Sequence, residues 1–230
     1  MESSTRSLPI IGLITAESLS LLGNQIVAVT IPILVLQFTD SPLVTGIAGA
    51  GNIAPIILAA ILGGRAIDRF GAWNISVSAD LLSFFSVLAL PVAFIYLDAV
   101  PPFMIFLLVF LGALFDPTGV SARQTLVPGL AKLSGRSLGK INSWRGGFEN
   151  GADFLGPVIG VGLIGVVGVI NTFFINALTF LLCAGMFSLA VPRMRNIAPA
   201  GDQGAALLGV TYIFKHARLR PLAVSGMVAT

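Results

Sequence analysis

Three ionisable residues, Arg145, Glu149 and Asp153, recur at every fourth position of an otherwise apolar, glycine-rich stretch. On a helix this spacing stacks them along one face, about 6 Å apart in height. An ionisable side chain at membrane depth is costly, so by default it turns toward a cavity or a partner. Two chemistries fit the pattern. Glu149 and Asp153 can accept protons or hold a cation, changing protonation over a working cycle. Alternatively, Arg145 pairs with Glu149 while Asp153 hydrogen-bonds another helix, and the three serve packing alone. Gly146, Gly147, Gly151 and Gly156 leave that face uncrowded. A second set lies nearer the N-terminus, where Asn24 follows Glu17 by seven residues on a similar helix face, with Gln25 beside it. Amides there suit interhelical hydrogen bonds as well as ligand contacts. Glu17, near the inner end of its span, suits a snorkelling or interhelical pair. Asp80 and Asp116 are weaker substrate candidates, and the Asp116-Pro117 step is expected to cap or kink its helix.

The surroundings of these residues limit the chemistry. Hydrophobic residues make up 56% of the 230 and charged residues 10%, against about a quarter charged in soluble domains. With a mean hydropathy of +0.96, the chain cannot clothe a water-facing surface and is read as an all-α integral membrane protein whose first partner is the lipid bilayer. The basic pI of about 9.5 calls for no nucleic acid, because loops on the inner side of a membrane carry excess Lys and Arg. Cys183, the single cysteine, has no intrachain partner and is expected to be a small core residue. His216, the single histidine, lies among Lys215, Arg218 and Arg220 and reads as a solvated residue. One histidine and no G-x-S-x-G argue against a membrane-embedded enzyme. The absence of a P-loop argues against an ATPase. No cofactor and no metal site are expected.

Long apolar runs separated by polar turns supply the elements. Spans are expected over about residues 10–37, 44–67, 73–96, 103–125, 143–167 and 171–191, each long enough for a bilayer core of about 30 Å at about 1.5 Å rise per residue. The first is read as a retained span and not a cleaved signal. Residues 128–142 form the longest polar connection between spans. This gives a domain plan of a six-helix bundle over 1–192, a linker with an amphipathic segment over 193–220, and the start of a seventh helix over 221–230. With the N-terminus in the cytoplasm, all Lys and Arg residues fall on or at the edge of the inner side, while the outer turns hold Asp40 and Asp98. That is the positive-inside distribution.

Between the second and third spans lies the charged turn 64–71, G-R-A-I-D-R-F-G, in which Gly64 permits close approach, Asp68 and Arg69 sit at the water boundary, and Gly71 suits positive φ. Gly64, Asp68, Arg69 and Gly71 resemble the G-x-L-A-D-R-x-G-R-R loop of the major facilitator superfamily in register, although Ala66-Ile67 and Ala72-Trp73 depart from it. Residues 19–45, Ala122-Arg123-Gln124 with Val127-Pro128, and Gly156-Pro157 with Gly160 are similar to segments of its macrolide, siderophore and multidrug efflux branch. The resemblance implies the N-terminal six of twelve helices, built as two inverted three-helix repeats. It also implies a latch between Asp68, Arg69 and Arg123, a proton or substrate role for Glu17 in helix 1, and a packing or hinge element in helix 5 at Gly156, Pro157 and Gly160, to which Arg145 is added. The implied activity is proton-coupled export of a hydrophobic or amphipathic small molecule through a bacterial inner membrane, with a C-terminal half as partner. The rival expectation is a truncated bundle that moves nothing without that half.

Overall fold

The computed structural model describes residues 2–50, 53–97 and 100–194. The expected linker and seventh helix, with His216, lie outside the described residues. All regular structure within them is helical: α1 (Glu2–Thr39), α2 (Pro42–Ala50), α3 (Ile53–Phe70), α4 (Ala72–Tyr96), α5 (Pro102–Ser134), α6 (Leu138–Val167) and α7 (Val169–Ala190). Five of these, α1, α4, α5, α6 and α7, are long and apolar enough to cross a membrane. The expected single helix over 44–67 is described instead as the two shorter helices α2 and α3.

The turns follow local chemistry. Gly71, Gly135 and Gly168 have φ of +87°, +66° and +84°, a region strained for residues with a Cβ. Gly135 ends α5 as a left-handed cap, its N–H directed to the carbonyls of Ala131 and Lys132. Ser137 then starts α6, its hydroxyl accepting from the Lys140 N–H at 3.4 Å. The expected long polar connection over 128–142 is therefore only 135–137, because Pro128 is carried inside α5 and the Gly-Arg-Ser turn reverses the chain in three residues.

Two apolar clusters occupy opposite ends of the bundle. One gathers Leu13, Ile67, Ala72, Leu126, Ile141 and Phe187; the other gathers Leu34, Val35, Leu90, Ile105, Val169 and Phe173. Their membership shows α1, α4 and α6 running one way and α5 and α7 the other. Helix α1 packs along α6 and α7, α4 along α5 and α7, and α3 along α5.

Packing between membrane helices relies on small residues that let backbones approach. A Cβ on Gly156 would lie 2.3 Å from the Gln25 Cβ, and one on Gly160 would lie 3.2 Å from the Ile26 backbone. These two glycines are where α6 crosses α1. Gly64, expected to permit close approach, has nothing within 4 Å of a built Cβ; the close approach of α3 to α5 occurs one residue earlier, at Gly63 against Thr118. Gly146, Gly147 and Gly151 also face open space. Gly156→Ala is expected to destabilise detergent-solubilised protein by about 1–3 kcal/mol, because the opposing Cβ is fixed to the backbone. Gly151→Ala should leave the thermal unfolding midpoint unchanged or slightly raised.

Candidate functional site

Helix α1 carries a polar face made by Glu17, Ser20, Asn24 and Gln25, spaced so that all four lie on one side. Each bonds a side chain on a neighbouring helix, and Ser20 and Asn24 bond the same one. Glu17, 4% exposed, receives the Arg145 guanidinium of α6 through two bonds, Nε to Oε2 at 2.6 Å and Nη2 to Oε1 at 2.5 Å. Two turns further up the same pair of helices, Gln25 Nε2 donates to Asp153 Oδ1. The rungs match because Glu17 to Gln25 and Arg145 to Asp153 are equal steps on parallel helices. An Arg145–Glu149 pair within α6 is thus not what the structure holds. Arg145 turns across to α1, and Glu149 stays exposed, as does Asp153.

Helices α4 and α5 are joined by a buried ion pair. Arg123, fully buried, donates from Nη2 to Asp80 Oδ1 and from Nε to Ser76 Oγ at 3.1 Å. Its guanidinium also stands 6.0 Å from the Phe187 ring centroid. Asp68 and Arg69, which the resemblance groups with Arg123, stand in different surroundings. Asp68 and Arg69 are exposed at the end of α3, whereas Arg123 is withdrawn into the interior and takes its counter-charge from α4. Cys183 is buried as expected, its thiol directed to the Ala16 carbonyl at 3.1 Å.

Against the second apolar cluster, whose Ile31, Leu90 and Phe173 line it, a cavity of about 210 Å³ opens where α1, α3, α4, α5 and α7 converge. Its walls include Val27, Ile31, Leu90, Val109 and Phe173, and its polar groups include Asn24, Asp116 and the buried Asn176. Asp116 accepts from Ser20 Oγ at 3.0 Å and from Asn24 Nδ2 at 2.7 Å. Of the residues singled out in the sequence, Asn24 lines this cavity, while Glu17, Glu149 and Asp153 do not. Asp116 was read as a helix cap or kink, and α5 continues through Pro117, so Asp116 caps no helix end. The signal for it was the Ser20/Asn24 pair, two donors one turn apart on α1 that need an acceptor on another helix.

Comparison with known proteins bears on what this arrangement belongs to. The family profile described as Major Facilitator Superfamily matches residues 13–230. The chain belongs to the Major Facilitator Superfamily. Among curated superfamily members, the multidrug efflux pump Tap of Mycolicibacterium fortuitum is 32% identical over 237 residues, covering 99% of this chain and 58% of the relative. The pump of the same name from Mycobacterium tuberculosis is 30% identical, covering 100% of this chain and 56% of the relative. The chain thus spans a little over half the length of the curated relatives it matches. As a superfamily member with several apolar spans it is a multi-pass membrane protein of a transporter family, not of an enzyme family.

The buried pair generates a test. Arg123→Ala is expected to destabilise the protein by about 3–5 kcal/mol, since it strands Asp80 without a counter-charge. In a double-mutant cycle followed by thermal unfolding in detergent, Arg123→Ala and Asp80→Ala should be strongly non-additive.

Proposed function

We propose that this chain is the N-terminal bundle of a secondary exporter that moves hydrophobic or amphipathic small molecules outward in exchange for protons. The observation that carries the reading is the cavity against the second apolar cluster, apolar on its walls and with Asn24 and Asp116 among its polar groups. Superfamily membership supports transport, and the mycobacterial relatives, which are multidrug efflux pumps, support export of more than one compound. Reading α2 and α3 as one interrupted span gives six crossings, which suits two inverted three-helix repeats. The bundle is assigned to 1–192, the linker to 193–220 and the start of a seventh helix to 221–230.

Within this reading, Glu149 and Asp153 are the proton-exchanging carboxylates, Asn24 meets substrate, and Glu17 is held by Arg145 as a positioned acid. The turn residues Gly64, Asp68, Arg69 and Gly71 act with Arg123 as a conformational latch, in which Asp80 holds Arg123 in the state described. Gly156, Pro157 and Gly160 form the packing surface of α6 on α1. The membrane is the bacterial inner membrane, with the N-terminus in the cytoplasm, as the distribution of Lys and Arg favours. A second reading, a bundle that moves nothing until another half joins it, has its support in the length of the relatives.

Everted membrane vesicles from cells expressing the protein test the transport claim. Acidifying the lumen should drive ethidium uptake, a protonophore should abolish it, and Asp153→Asn should reduce it to background. Ethidium uptake equal to that of control vesicles would sink the export reading, and full proton-driven uptake by Asp153→Asn would sink that residue's coupling role. Orientation has its own check. A cysteine at Ser41 should react with an impermeant maleimide in intact cells, and one at Ser137 should react only after the membrane is opened.

A further inference from the structure

The turn between α5 and α6 gathers positive charge that no carboxylate answers. Between Asp116 and Glu149 the sequence holds no Asp or Glu, while Lys132, Arg136 and Lys140 fall at or beside the turn. Among the described residues the ion pairs are Arg123 with Asp80 and Arg145 with Glu17, and these leave the three cations out. Helix ends make the three unequal. Lys132 stands in the last turn of α5, where the carbonyl end of a helix favours a cation. Arg136 comes just before α6 and Lys140 lies in its first turn, which carries no acid. There the positive end of the helix adds to their charge instead of offsetting it.

Both of these cations reach one ring. The Arg136 guanidinium carbon is 5.0 Å from the Trp144 centroid, and Lys140 Nζ is 5.5 Å from it. The ring attracts each cation, and so holds two like charges near one another beside a helix N-terminus. That attraction offsets part of the crowding and cancels none of the charge. An anion lodged there would meet both cations and the first N–H groups of α6.

The apolar surroundings decide which anion. Leu133, Leu138 and Trp144 are 52%, 46% and 38% exposed, so the cations sit among side chains that favour hydrocarbon. A free inorganic anion gains nothing from them. The turn also joins two helices that are each long and apolar enough to cross a membrane, which puts it at a bilayer surface on whichever side it emerges. Indole rings concentrate at that boundary, at the level of the headgroups. An anionic phospholipid supplies what both sets of side chains lack, a charged phosphodiester for the cations and acyl chain for the apolar residues.

We propose that the α5–α6 turn binds the headgroup of an anionic phospholipid, with Arg136 and Lys140 on its phosphate and Trp144 against the ester region beneath. The contact needs only that α5 and α6 span the bilayer, and it stands or falls apart from the export reading.

Trp73 and Trp144 are the two tryptophans of the chain, so Trp73→Phe leaves Trp144 as the sole indole and provides the test. The purified variant is reconstituted into phosphatidylcholine vesicles holding a minor fraction of phosphatidylglycerol brominated high in its acyl chains, since bromine quenches an indole at contact. A parallel sample carries brominated phosphatidylcholine instead. Phosphatidylglycerol should be favoured at Trp144 by about fivefold or more at low salt, and less as salt rises. Arg136→Gln combined with Lys140→Gln should abolish the preference, whereas Arg65→Gln, the same charge removed from α3, should leave it unaltered. Arg136 is half-buried and Lys140 exposed, so the double variant should keep its fold. Should Trp73→Phe not fold, the difference in quenching between wild-type protein and Trp144→Phe reads the same quantity. Equal quenching by the two lipids overturns the proposal, as does a preference that survives the double substitution. Loss of the preference on adding inorganic phosphate at matched ionic strength also overturns it, because the turn would then be a site for a free anion.

Discussion

The guanidinium of Arg123 is wholly withdrawn from the surface, and a bare cation so placed costs several kcal/mol even after relaxation. Helix α5 can hold that position only because α4 brings Asp80 and Ser76 to meet it. Those groups are one turn apart on α4, so satisfying both fixes the rotation of each helix as well as its depth. The close approach of Gly119 to Ala79, 3.1 Å for a built Cβ, follows from the same register. A bulkier residue at either position would hold the helices too far apart for the pair to form.

The remaining polar groups depend on α1 in a comparable way. A membrane-spanning helix with four polar side chains on one face must find four partners in protein, because lipid offers none. Glu17 finds Arg145, Ser20 and Asn24 share Asp116, and Gln25 finds Asp153. Each partner fixes a neighbour at a set height, so α6 and α5 are registered against α1 by separate bonds. The glycines at 156 and 160 make the first of these possible, since a side chain there would meet the backbone or Cβ of α1. The two apolar clusters then close the polar layer at both ends.

Much of this was legible in the sequence, and the limit has a physical cause. Apolar runs bounded by turn residues marked the spans, because length and hydropathy are properties of single segments. The special backbone at Gly71 was legible for the same local reason. Partners across helices were not. Spacing of four puts Glu149 beside Arg145 within α6, yet Arg145 reaches Glu17, 128 residues away in the chain. Arg123 was grouped with a charged turn by resemblance, but its bonds are set by which face of α4 it meets. Asp116 was masked by the proline after it, whose helix-bending meaning was the more obvious one. In each case the missing quantity was the rotation of one helix about its axis relative to another, which packing alone determines.

That rotation also explains why the joints around α1 differ in kind. The joint to α6 is closed at one end by a bidentate guanidinium–carboxylate fork, a geometry that resists both sliding and turning. The joint to α5 rests on one hydroxyl and one amide, each bonding a different oxygen of Asp116. Two single-atom donors tolerate a change of angle better than a planar fork does, because neither fixes the plane of the carboxylate. The cavity lies at this second joint, where α1 and α5 can shift against one another without breaking an ion pair. A site that must admit and release a ligand is better built there than between α1 and α6, where the same displacement would strand two opposite charges inside the bundle.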